Sequence, residues 1–121
     1  MLFVFSAFTN VVFADVDLKS KEEVVGTWKL ESTKNTASEK EVALPREDTW
    51  IFKDSKLTIL HIPREGKYYD QPPVGYEIEE GKLKVAQVGN SRFDFFTLVE
   101  KTENNMTLRG KFGGFYYFKK K

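Results

Sequence analysis

From Gly26 onward the chain alternates. Trp28 and Leu30 are set off by Thr27, Lys29 and Glu31, a period of two that puts apolar side chains on one face of an extended strand and polar ones on the other. The same alternation returns over 48–53 (DTWIFK), 56–62 (KLTILHI), 74–79 (VGYEIE) and 82–88 (KLKVAQV), and again over 91–101, 106–112 and 115–119. Short turn signals separate these runs: Asp54-Ser55, Glu80-Gly81, Gly89-Asn90, Glu103-Asn104-Asn105 and Gly113-Gly114. Together they predict about eight strands, with a ninth if 66–69 also pairs, at the spacing typical of sandwiches and barrels. Sequential hairpins of this kind make one antiparallel meander, and closing it removes both open edges. The expectation is an all-β fold, an antiparallel up-and-down β-barrel of about eight strands with a short N-terminal helix.

That helix is read from DLKSKEEVV (17–25), where Ser20 stands three residues before Glu23 in a capping-box spacing. The inward set predicted by alternation is Trp28, Leu30, Trp50, Phe52, Tyr76, Ile78, Leu83, Val85, Met106, Leu108 and Phe112. In RFDFFTLV (92–99) the aromatics at 93, 95 and 96 fit no single parity, which places a bulge near Phe95. Two polar, proline-containing segments, 33–47 and 63–73, interrupt the rhythm and read as long loops at the barrel mouth.

The first residues, MLFVFSAFTNVVFADVD, carry no charge through Ala14 and end their apolar run in Val12-Phe13-Ala14. This is the small-residue pattern at which signal peptides are cut. Residues 1–14 are therefore expected to be a signal peptide and 15–121 the barrel domain, although the basic n-region is missing. An apolar run of about 14 residues is too short to span a bilayer. Export predicts a periplasmic or secreted protein, and the absence of cysteine fits a bacterial envelope protein and removes disulfides and thiolate chemistry.

Composition narrows function mainly by exclusion. Nineteen basic and 18 acidic residues give a net charge of +1, too balanced to gather nucleic acid or an anionic membrane. KFGGFYYF (111–118) has the aromatic spacing of an RNA-binding RNP1 strand, but Phe112 and Gly113 are interchanged and no helices back the sheet, so a hairpin turn is the better reading. His61 is the sole histidine and reads as structural. The acidic pairs Glu22-Glu23 and Glu79-Glu80 fall at a helix start and a turn, where solvated charge is ordinary. With no metal set, no cofactor motif and no credible catalytic base, the chain is expected to be non-enzymatic.

Gly26-Thr27-Trp28 after a short helix resembles the Gly-x-Trp signature of the lipocalins and the wider calycin group. Together with DTWIFKDSKLTI, YEIEEGKLKV and FTLVEKTENNMTLRG, it is similar to small bacterial lipocalin-like domains of exported proteins. The resemblance implies that Trp28 plugs the closed end of the barrel and that Gly26 lets the chain approach there. It further implies an arginine from a late strand stacked on that indole. Arg109 is the candidate, and alternation with Leu108 could equally place it on the outer face.

The resemblance also implies a binding protein for a small hydrophobic ligand, with Trp50, Phe52, Tyr76 and Phe93 lining a cup and Tyr68 and Tyr69 at its rim. An eight-stranded barrel is just wide enough to be filled by side chains or to hold one small molecule. If it is filled, the alternative is a protein-interaction or inhibitor module that uses 33–47 and 63–73 as its contact surface.

Overall fold

The computed structural model describes residues 15–121; the signal peptide expected at 1–14 lies outside the described residues. The strands run β1 (Gly26–Lys34), β2 (Leu44–Pro45), β3 (Thr49–Lys53), β4 (Lys56–Arg64), β5 (Lys67–Glu79), β6 (Lys82–Ala86), β7 (Phe93–Lys101), β8 (Asn105–Gly110) and β9 (Phe115–Lys120). From β3 to β9 each pairs antiparallel with the next, and β1 joins β3 on one side and β9 on the other. That closes an antiparallel barrel of eight strands. β2 is a two-residue extension beside the upper half of β1, through Ser32↔Pro45 and Thr33↔Leu44. Among the described residues, no helix is long and apolar enough to cross a membrane.

Local chemistry explains the tight connections. The central residues of three hairpin turns all have positive φ: Asp54 (52°) and Ser55 (62°), Glu65 (49°) and Gly66 (80°), Glu80 (52°) and Gly81 (79°). Two left-handed residues in succession match the right-handed twist of the flanking strands. The Glu65-Gly66 turn corrects one expectation, since 63–73 is no loop: it forms the end of β4 and the first half of β5. Pro63 stays in register opposite Tyr68, whereas Pro72 and Pro73 are accommodated because the register slips between Leu57↔Val74 and Ile59↔Gln71, leaving both opposite Thr58. A bulge frees that backbone from the ladder bond a proline cannot donate.

The expected N-terminal helix is a single 3-10 turn, Lys21–Glu23. The Glu23 carboxylate accepts hydrogen bonds from the backbone N–H groups of Lys19 (2.6 Å) and Ser20 (3.0 Å), and these hold its pKa below the ordinary carboxylate range. The segment crosses the closed end. Val16 N–H donates to the Leu98 carbonyl (2.8 Å) and Leu18 N–H to that of Gly81 (2.9 Å), and the side chains of Leu18 and Val24 are buried.

Trp28 lies beneath that cover, 1% exposed, with its indole N–H donating to the Val24 carbonyl at 2.9 Å. Two lysines lie over its ring, Lys120 with Nζ 4.6 Å and Lys101 with Nζ 5.9 Å from the ring centroid. Arg109 does not stack there: it faces outward and forms a two-pronged ion pair with Asp15, 2.9 Å for each contact. Gly26 makes the position of Lys120 possible. Its φ is +133°, and a Cβ at that position would stand 2.5 Å from Lys120 Nζ.

Ten of the eleven side chains expected inside are buried or packed against the core; Phe112 is the exception, 92% exposed in the turn between β8 and β9. β8 ends at Gly110, so the alternation does not extend to it. The bulge expected near Phe95 lies instead at Val99, between Leu98↔Leu108 and Glu100↔Thr107. Unbroken pairing of Leu83↔Phe96 through Ala86↔Phe93 then fixes β7 so that Asp94, Phe96 and Leu98 share the inward side.

Candidate functional site

The lower part of the barrel is filled. Phe52 and Tyr76 meet edge-on at 5.0 Å, and Trp50 packs edge-on against Phe118 at 4.9 Å and Phe96 at 5.7 Å. Pairs of this geometry contribute about 0.5–1.5 kcal/mol each beyond their buried area. At the opposite end a cleft of about 270 Å³ is bordered by Trp50, Leu57, Ile59, Gln71, Val85, Gln87, Asp94, Phe96 and Tyr116, among others. A wider depression of about 570 Å³ adjoins it beneath the β8–β9 turn, sharing Asp94, Phe96 and Tyr116 and adding Asn35 and Lys111.

The walls of this cleft are apolar and aromatic, with a few placed polar groups. Gln87 Nε2 donates to Asp94 Oδ1 at 3.0 Å, and Asn90 Nδ2 donates to Gln87 Oε1 at 3.0 Å. Lys111 Nζ stands 3.6 Å from the same Asp94 oxygen, so the carboxylate's charge is balanced in place. Burial pushes the Tyr116 hydroxyl pKa up; the Arg46 charge opposes that rise and the Asp94 charge adds to it. Arg46 is itself held by a two-pronged pair to the buried Asp48, at 2.9 and 2.7 Å. The Trp50 indole N–H is buried with no hydrogen-bond partner, and so is the Tyr76 hydroxyl.

The residues expected to line a cup are dispersed. Trp50 borders the cleft. Phe52 and Tyr76 lie deep in the core. Phe93 faces outward, half-exposed, with Lys84 Nζ 4.2 Å from its ring centroid, because its partner Ala86 is one residue out of phase with the inward Val85. Tyr68 and Tyr69 are exposed on the projecting β4–β5 hairpin, Tyr69 beneath the Arg64 guanidinium at 5.5 Å. Gln71, Gln87, Asp94, Phe96 and Tyr116 were not singled out by sequence reasoning. The available signal was Asp94 itself, an acidic residue in phase with Phe96 and Leu98 on an apolar face.

A second cluster sits outside the barrel wall near the rim. His61 has φ +60°, at the bulge where Ile59↔Gln71 gives way to Ile62↔Tyr69, and its backbone N–H donates to Asp70 Oδ1 at 2.9 Å. Its ring stacks on Tyr68 at 3.7 Å. The Tyr68 hydroxyl donates to Glu47 at 2.8 Å, and that bond together with the carboxylate's charge raises the tyrosine's pKa. Among the described residues, no group of three or more His, Asp or Glu side chains is arranged to hold a metal ion.

This architecture defines the chain as a small antiparallel eight-stranded β-barrel with one covered and one open end. No family model and no curated protein matches the sequence. Among solved structures it is similar to an uncharacterized protein from Bacteroides eggerthii DSM 20697, with a TM-score of 0.59 at 15% identity, over 80% of this chain and 98% of that one. The likeness is one of fold.

Proposed function

We propose that this protein is an exported, non-enzymatic, lipocalin-like binding protein that holds a small hydrophobic molecule in the cleft at the open end of its barrel. One observation carries the reading: six strands converge there on a mostly apolar cleft, with Trp50, Phe96 and Tyr116 as aromatic walls and Asp94 and Gln87 as fixed polar groups. Such a composition is that of a ligand site, apolar for affinity and sparsely polar for orientation. The Gly26-Thr27-Trp28 motif beneath a cationic cover supports the lipocalin-like assignment, and the apolar segment ending Val12-Phe13-Ala14 supports export to the periplasm or medium.

The filled lower core limits the cargo. At about 270 Å³ the cleft lies just below the range of roughly 300–1,000 Å³ usual for ligand pockets, so the guest is small. Native mass spectrometry of protein purified from its own host tests this. A non-covalent adduct is expected, lost on unfolding and lost in Val85→Phe, which narrows the cleft. An adduct that survives the substitution, or none at all, overturns the reading.

A second reading is favoured by the exposed apolar side chains around the same end: Val42, Leu44, Tyr68, Val88 and Phe112. These suit a protein-contact surface made of the 33–47 loop and the 63–73 hairpin. Loss of a specific partner on Leu44→Ser and Phe112→Ser, with the small-molecule adduct retained, would favour it over the first.

A further inference from the structure

We infer that the cleft, on the binding reading above, selects neutral ring compounds that carry a hydroxyl, and that the Asp94 carboxylate is the group that accepts its hydrogen bond. Asp94 shares the inward side of β7 with Phe96 and Leu98, and it borders both the cleft and the adjoining depression. Its side chain is 44% exposed, so it meets whatever enters. Gln87 Nε2 at 3.0 Å and Lys111 Nζ at 3.6 Å both approach the same oxygen, Oδ1. Oδ2 has no partner among the described residues, and a carboxylate accepts at both oxygens.

A second polar group is open to the same space. The Tyr116 hydroxyl has no hydrogen-bond partner among the described residues, and unlike that of Tyr76 it is not sealed off. Gly110, where the backbone does not demand a glycine, leaves room for that ring: a Cβ there would stand 3.3 Å from Tyr116 Cε1. A guest hydroxyl can donate to Asp94 and accept from Tyr116, whereas an ether can only accept. The surrounding charges decide the rest. Asp94 stands against Lys111 and Arg46 against Asp48, so an ionic guest gives up its hydration to meet a like charge for every opposite one. Trp50, Phe96 and Tyr116 offer ring faces and edges to a flat apolar body. The class is therefore a small phenol or cyclic alcohol, in preference to an ether, a hydrocarbon, an acid or an amine.

The test titrates p-cresol, its methyl ether 4-methylanisole, and benzylamine into protein labelled with ¹³C and ¹⁵N. p-Cresol is expected to bind about tenfold more tightly than the ether, the difference that one hydrogen bond to a charged group supplies, and to move the Asp94 carboxyl carbon resonance where the ether does not. In Asp94→Asn, whose neutral amide keeps the shape, the preference should shrink to about threefold or less; the carboxyl shift in the unaltered protein serves as the test even if that variant fails to fold. Equal affinity for p-cresol and the ether, or p-cresol binding with the Asp94 signal unmoved, overturns the acceptor assignment and leaves the cleft as a simple apolar site. Benzylamine binding more tightly than p-cresol overturns the neutral class and makes Asp94 a counter-ion. Failure of all three probes to perturb the cleft residues overturns the assignment and the binding reading together.

Discussion

Replacing Gly26 by alanine should be among the most damaging single-methyl changes this barrel can undergo. Two costs are present, and they differ in size. A φ of +133° is open to glycine but costs other residues about 1–3 kcal/mol. The added Cβ also falls 2.5 Å from Lys120 Nζ and 3.0 Å from its Cε. Those atoms are the far end of a flexible chain, so the lysine swings away, giving up its place over Trp28 and its 3.2 Å bond to the Val25 carbonyl. For an exposed lysine that loss is at the low end of cation–π energies, about 0.5–1 kcal/mol.

Backbone strain therefore dominates, and the sum is about 1.5–4 kcal/mol, enough to lower Tm by on the order of 10 °C in a domain of this size. Urea unfolding followed by circular dichroism measures it as a shift in midpoint at constant slope. Running Gly26→Ala, Lys120→Met and the double variant separates the two parts. The alanine should cost about 0.5–1 kcal/mol less when Lys120 is already gone. A total cost below about 1 kcal/mol would refute the strain argument, and an identical cost in both backgrounds would refute the displaced-ammonium argument.

Tyr76→Phe removes a buried hydroxyl that has no partner, so chemical denaturation should find stability unchanged or raised by about 1 kcal/mol; a loss of that size would mean that the hydroxyl is satisfied. In the Arg46–Asp48 pair the carboxylate is 3% exposed and the guanidinium 31%. Arg46→Met, which strands the buried charge, should therefore destabilise more than Asp48→Asn, which leaves an arginine able to reach water; the reverse order in urea midpoints would contradict the burial. Acid should destabilise the fold through depressed carboxylates. Arg109 holds the Asp15 pKa down chiefly by hydrogen bonding, and the Lys19 and Ser20 N–H groups do so for Glu23. A group whose pKa is lower folded than unfolded contributes stability above its unfolded value, near 4, and loses that contribution as pH falls through the folded one. The urea midpoint should thus decline below about pH 4.5, and Asp15→Asn with Glu23→Gln should flatten the decline; an unchanged slope would assign it elsewhere.

How far the candidate site was legible follows from particular residues. Two-residue periodicity made the inward face of β1, β3, β6 and β8 readable, because an alternating strand packed on one side has only one consistent orientation. It failed at Phe112, where the alternation in the sequence runs past the end of the strand, and in β7, where the extra residue is Val99 and not one of the phenylalanines. A shift in bulge position by a few residues reverses which side chains face inward. That shift exchanged Phe93 for Asp94 and Phe96, and with them the membership of the cleft. Prolines 63, 72 and 73 misled in a different way, since Pro63 stays in register opposite Tyr68 and Pro72 and Pro73 fall at a bulge within a long hairpin.

By itself, then, the sequence determined that this is a closed meander of about eight short strands around Trp28, because alternation, turn chemistry and edge avoidance are all local or near-local properties. Tertiary structure alone decided that two lysines and not Arg109 cover that indole, that the lower interior is filled by interlocking rings, and that Trp50 borders a cleft. Those outcomes depend on register across non-neighbouring strands and on the volumes of side chains far apart in the chain, which no one-dimensional pattern encodes.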